Sequence, residues 1–297
     1  MTKPIRIAVV GDIHLAFDER EVRALDAAGY DLLLFVGDLA GYRVGGGLEV
    51  ARTIAKVRTR ALVIPGNHDA VTGAQLASEI FSAPEAVRDA LSIGMEERVD
   101  ALARALAPVP LVGYALHRID ELGLTVLSAR PHSIGGPRIA FRRYLDARFG
   151  VGSIEASAAR LSSLFDQVPT GERILVLAHN GPRGLGAKRS DLFGCDFRPE
   201  EGDFGDGDLE AALAHAGRTG KSVVAVIAGH MHHRLRGGGQ RRWLETRDGI
   251  TFVNAAATPR RRSGESGDEG HHVRVVLEPG GVRVEEAWEP LVGPRRG

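Results

Sequence analysis

The 297-residue sequence contains a single cysteine, Cys195, so an intrachain disulfide framework is excluded and a reducing compartment suits it. Cys195 itself reads as a small packing residue. No apolar run approaches the roughly 20 residues that cross a bilayer. The Met1 to Pro4 lead into Ile5 to Val10 is too short for the apolar region of a signal peptide. Neither sign of charge is in excess: 38 Lys+Arg balance 38 Asp+Glu, so no global field draws the chain to nucleic acid or to anionic membrane. Gly-x-Ser-x-Gly and His-Glu-x-x-His are also absent, which removes the usual serine-hydrolase and zincin signals. Gly220-Lys221-Ser222 has the end of a P-loop, but His215 stands where its first glycine belongs and a strand pattern follows. What remains is an ordinary globular composition, 43% apolar and 26% charged, for which a cytoplasmic enzyme is expected.

Short apolar runs punctuate the chain at Ile5 to Val10, Leu32 to Val36, Ala61 to Ile64, Ile174 to Leu177 and Val223 to Ile227. Each predicts a strand buried on both faces. Helical spacing lies between them, as in Val22, Leu25 and Ala28 or Leu209, Leu213 and Ala216, so an α/β layered fold is expected. Residues 1–290 read as a single domain. Residues 70–107 break the rhythm with a helical pair that reads as an insertion bordering the active site, closed by Pro108 and Pro110 before strand-like runs at Leu111 to Ala115 and Leu124 to Leu127. Residues 181–207, rich in glycine and charge, read as a long loop. Residues 260–272 read as a flexible loop, which assigns solvated roles to His271 and His272; His215, in a helical stretch, is expected to be solvated too. Val273 to Leu277 and Val282 to Val284 suggest a hairpin with a turn longer than two residues, and 291–297 a frayed tail.

Polar groups follow each strand-like run: Asp12 and His14, Asp38, Asn67 and His68, His179, then His230 and His232. Ligands collect at the carboxyl ends of strands in open α/β sheets, so these residues can converge despite their separation. In an extended segment, residues two apart point to one side, which pairs Asp12 with His14 and His230 with His232 and turns His233 away. Glycines at 11, 37, 66 and 229 permit tight backbone turns beside them. Carboxylate, imidazole and amide oxygen together suit manganese, iron or zinc better than magnesium or calcium.

Asp12-Ile13-His14, Gly37-Asp38, Gly66-Asn67-His68-Asp69, His179 and Gly229-His230-Met231-His232 occur in the order found in calcineurin-like metallophosphoesterases, which the sequence resembles over roughly residues 5 to 256. The resemblance implies a four-layer β-sandwich of two mixed sheets flanked by α-helices. It implies two divalent metal ions, manganese foremost, one held by Asp12, His14, Asp38 and His232 and the other by Asp38, Asn67, His179 and His230. Asp38 would bridge them, a bridging hydroxide would attack phosphorus in line, and His68 would act as general acid, with Asn67 also meeting substrate.

Protein phosphatases of that superfamily carry Gly-Asp-x-x-Asp-Arg-Gly, whereas Gly41 and Tyr42 stand at the second Asp and the Arg here. The later histidine sits in Ala178-His179-Asn180 instead of the common Gly-His context. Phosphate recognition must then come from elsewhere; Arg183, Lys188 and Arg189 in the glycine-rich loop are candidates, as is Arg130 with His132. Small phosphodiesters or phosphomonoesters of nucleotide type are the expected substrates. The alternatives are a nuclease, which the balanced charge disfavours, and a non-catalytic metal-binding interaction module; the residues say nothing of oligomeric state.

Overall fold

The computed structural model describes residues 3–41, 46–264 and 267–293. Tyr42, one of the two departures from the protein-phosphatase pattern, and 294–297 of the expected frayed tail lie outside them. The first half supplies β1 (Ile5–Val10), α1 (Glu19–Ala27), β2 (Leu32–Phe35), α2 (Gly46–Ile54), β3 (Ala61–Val63), α3 (Gly73–Ile80), α4 (Glu85–Leu91), α5 (Met95–Leu106), β4 (Ala115–Ile119), β5 (Leu124–Ser128) and α6 (Arg142–Phe149). There follow α7 (Ile154–Asp166), β6 (Arg173–Leu177), α8 (Gly207–Arg218), β7 (Ser222–Ala228), β8 (Leu244–Arg247), β9 (Ile250–Asn254), β10 (Arg261–Gly264), β11 (Gly267–Glu278) and β12 (Gly281–Pro290).

Two six-stranded mixed sheets result. One has the order β10-β11-β1-β2-β3, with β12 also pairing with β11; the other has the order β4-β5-β6-β7-β9-β8. The parallel cores are β1-β2-β3 and β5-β6-β7-β9. The apolar runs are continuous because both faces of each sheet are covered. Ile7, Val9, Leu32, Leu34, Leu175, Leu177, Ala225 and Ile227 meet in the layer between the sheets. Their neighbours Ala8, Val10, Leu33 and Phe35 turn outward to α1, α2 and α5, while Ile174, Val176 and Val226 turn to α7 and α8. This is the expected helix–sheet–sheet–helix arrangement. Local chemistry starts the helices: Asp18 caps α1 in a capping box with Glu21, Thr72 caps α3 and Ser153 caps α7.

Several local expectations change. The 70–107 stretch forms three helices, α3 to α5, not a pair. Leu111 makes only an isolated bridge with Val63, and the strand begins at Ala115. Within the expected 260–272 loop, 261–264 and 267–272 belong to β10 and β11, because Arg260 reaches Glu21 and Arg20 reaches Asp268 across the sheet edge, and 265–266 lie outside the described residues. His271 and His272 are consequently buried, 2% exposed each, with His272 Nε2 2.6 Å from the Tyr30 hydroxyl and His271 Nε2 3.1 Å from Glu286. His215, in α8, is half-buried and lies 2.7 Å from Asp166. Glu278 pairs with Gly281, so the β11–β12 turn is the two-residue Pro279-Gly280 after all. The 181–207 stretch is ordered around buried Leu192, Phe193, Cys195 and Phe204 and contains a short 3-10 turn at Pro199–Glu201. No helix among the described residues is long and apolar enough to cross a membrane.

Candidate metal centre

The carboxyl ends of β1, β2 and β3 in one sheet and of β6 and β7 in the other point to one place. Asp12, His14 and His232 bring ligand atoms within 4.8 Å of one another, as do Asp38, His179 and His230. The backbone is shaped for this. Asp12, His14, Asp38 and His230 all adopt left-handed φ, at 42°, 42°, 50° and 68°. Such φ values are uncommon for non-glycine residues, and their concentration marks a region where local strain is outweighed by surrounding structure. Gly37 and Gly66 pack so closely that a Cβ on the first would overlap the Gly66 amide, and one on the second the Asp38 carboxylate. Only glycine fits either position.

Main-chain donors orient the acids. Asp12 Oδ1 accepts the His230 amide at 2.9 Å, and Asp38 Oδ1 accepts the His68 amide at 2.9 Å. Asp69, fully buried, accepts from Ala40 N at 3.0 Å and Gly66 N at 2.8 Å, joining the loops after β2 and β3. Burial, reinforced by Asp38, pushes the Asp69 pKa up to about 7.

The imidazoles are fixed from behind. His179 Nδ1 lies 2.6 Å from the Val36 carbonyl and His14 Nδ1 3.2 Å from the Ala40 carbonyl. A carbonyl only accepts, so both Nδ1 atoms donate and both Nε2 atoms face the site, where a neutral ring offers a lone pair. There His179 Nε2 stands 3.0 Å from Asn67 Oδ1 and 3.5 Å from Asp38 Oδ1. His14 Nε2 stands 3.2 Å from His232 Nε2 and 3.8 Å from Asp38 Oδ2. His232 Nε2 is 3.2 Å from Asp12 Oδ2. Thus one oxygen of Asp38 faces each cluster. His230 Nε2 is buried without a hydrogen-bond partner among the described residues. Electron-rich atoms crowded together, two of them, His230 Nε2 and Asp12 Oδ2, without a hydrogen-bond partner among the described residues, form a cradle for cations.

Electrostatics divide the imidazoles: against burial, Asp38 and Asp12 raise the pKa of His179 and Asp12 raises that of His232. Burial opposes ionisation of Asp38, yet His179, His68 and His14 outweigh it and hold the carboxyl below its usual range. Burial, helped by His179, lowers His230 to about 3, which keeps it neutral as a ligand must be.

A cavity of about 980 Å³ opens onto Asp38, Asn67, His68, His230 and His232. It lies at the large end of the ~300–1,000 Å³ range for small-molecule sites. The metal-ligand candidates are therefore brought together, with His68 beside them: its ring meets His14 edge-on at 5.2 Å. The phosphate candidates divide. Arg183 lines the cavity, although it also pairs with Glu210 at 2.8 Å; Lys188 and Arg189 are exposed and do not line it. Arg130 is not a surface cation at all, being 1% exposed and bound to Asp206 and Asp208 at 2.8 Å each. His132 is likewise sequestered, with Nδ1 3.0 Å from the Gly66 carbonyl, and burial lowers it to about 4. His233 turns away from the site, its Nε2 2.7 Å from the Asn254 carbonyl.

Sequence reasoning missed two supports. Asn254 Nδ2 donates to the Met231 carbonyl at 2.7 Å, and buried Arg241 Nε donates to the His232 carbonyl at 3.0 Å. Both pin the histidine loop after β7. It also missed Arg138, Arg198, Arg234 and Arg236, which line the cavity. Arg234 and Arg236 alone had a signal, the continuing alternation after His230 and His232.

No curated protein matches the sequence. Among solved structures, TT1561 of Thermus thermophilus is similar with a TM-score of 0.50 at 12% identity, over 96% of this chain and 99% of that one. A dimetal phosphatase from Danio rerio gives a TM-score of 0.47 at 13% identity, over 97% and 99%. The family model for calcineurin-like phosphoesterases matches residues 5–234. With the five motif segments inside that span, the chain belongs to the calcineurin-like phosphoesterase family.

Proposed function

We propose that the chain hydrolyses phosphate esters at a two-cation centre, with small phosphodiesters or phosphomonoesters of nucleotide type as substrates. The observation that supports this most is the placement of Asp38 between two ligand clusters at the edge of one large cavity. The donor set fits divalent manganese, iron or zinc, manganese foremost, because each cluster combines a carboxylate with two imidazoles. Asp12, His14, Asp38 and His232 would hold one ion, and Asp38, Asn67, His179 and His230 the other. When bound, such a pair supplies Lewis-acid stabilisation of the charge that grows on phosphoryl oxygens.

The chain's own residues do the rest. Burial lowers the His68 pKa against the pull of Asp38, so the ring is neutral until a bound phosphate sets negative charge beside it. His68 then takes up a proton from solvent and delivers it to the leaving oxygen as water's oxygen bonds to phosphorus and the P–O ester bond breaks. Asn67, buried next to it, holds the approach to phosphorus with its side-chain amide. Walls formed by α3 and by residues 134–140 favour a small molecule over a polymer.

Assay of the purified chain on bis- and mono-p-nitrophenyl phosphate with added Mn²⁺ tests the reading. Turnover of at least one ester is expected, lost on chelation and in Asp38→Asn. Absence of both turnover and metal uptake overturns it.

A further inference from the structure

The loop that delivers His230 and His232 does not stop contributing to the cavity there. His230, Met231, His232, Arg234 and Arg236 all line it, whereas His233 and Leu235 are buried away from it, at 9% and 5% exposure. From His232 onward alternate residues thus run along one wall, and two guanidiniums continue the line that His232 begins.

Charge balance distinguishes these two arginines from Arg88, Arg183 and Arg198 of the same cavity. Arg88 is tied to Glu79 at 3.2 Å, Arg183 to Glu210 at 2.8 Å and Arg198 to Glu201 at 2.6 Å. Arg138 donates to the Ser82 hydroxyl. Neither Arg234 nor Arg236 has a carboxylate partner among the described residues. The nearby acids are engaged elsewhere: Asp196 accepts the Arg236 amide at 2.8 Å and lies 3.3 Å from Arg241, and Asp203 accepts from Gly184 N at 2.8 Å and Gly205 N at 3.0 Å. Arg236 is also steadied, its guanidinium carbon 5.7 Å from the centre of the Phe197 ring.

We propose that Arg234 and Arg236 form a second anion subsite, and that the substrate is an organic diphosphate. One phosphorus would lie at the His230–His232 end, where water's oxygen bonds to it as the P–O–P bond breaks, and the other phosphate would leave on the two guanidiniums, which suit phosphate through planar, paired donors. This deepens the phosphoesterase reading and rests on it only for where the first phosphorus sits. A simple monoester or a p-nitrophenyl diester leaves the two arginines unmatched; a nucleoside diphosphate satisfies them.

The test pairs binding with kinetics in an Arg234→Gln/Arg236→Gln chain, both residues being exposed and their replacement harmless to the core. Calorimetry on metal-free protein should show inorganic pyrophosphate binding about tenfold more tightly than orthophosphate, and the double variant should lose that preference. With Mn²⁺, kcat/KM for adenosine diphosphate should fall at least about tenfold more than kcat/KM for bis-p-nitrophenyl phosphate. Equal affinities for the two anions in the wild type, or a preference that survives in the variant, overturns the subsite. A wild type that hydrolyses no ester refutes the phosphoesterase reading instead, and the pyrophosphate comparison still decides the subsite.

Discussion

The floor of the cavity and its walls are built on different plans. On the floor, Asp12, Asp38, Asn67 and His179 are at most 3% exposed and follow strands, and Asp12, Asp38 and His179 are held by backbone amides and carbonyls. The walls come from α3, the 134–140 segment and the stretch around 196–205, and of the arginines that line the cavity Arg88, Arg183 and Arg198 are paired with carboxylates. On the proposed function, the difference separates chemistry from recognition. Strand ends fix reacting groups to within fractions of an ångström, while loops and an added helix set what else fits.

Mutations on either side should break along this line. The largest effect is expected at the floor: His68→Ala should lower kcat by on the order of 10² to 10⁴ while leaving metal content, read by elemental analysis, unchanged. Loss of metal together with rate would mean that His68 is a ligand. One layer behind, Asn254→Ala removes the donor to the Met231 carbonyl, and metal affinity should weaken about 10- to 100-fold in a chelator competition. Equal affinity would make Asn254 irrelevant to the histidine loop. The walls should respond least and in KM: Arg183→Ala raises it a few-fold, as expected for an exposed contact, whereas Lys188→Ala, outside the cavity, leaves it unchanged. A larger shift at Lys188 than at Arg183 would reverse their placing.

The floor was legible in the sequence because its information is local. An apolar run, a glycine and a ligand follow one another within a few positions, as in Leu32 to Asp38, and the sheet brings the ends together. The walls and rim were not, since their state depends on partners far along the chain. Arg130 reads as a surface cation until Asp206 and Asp208 enclose it. The Ser/Gly/acidic composition of 260–272 reads as solvated until Glu21 captures Arg260 and Tyr30 meets His272, more than 230 positions away. Composition reports what a segment prefers alone, and a buried ion pair overrides that preference only when both members are in place.

The seven ligand candidates are divided between the two sheets, four after β1, β2 and β3 and three after β6 and β7. A metal-loaded centre would therefore be a clasp across the seam between the two sheets. Occupancy feeds into folding by mass action, adding about 2.7 kcal/mol at a hundred times the dissociation constant. Starvation for metal would then lower not only the rate of each molecule but the number of molecules that remain folded.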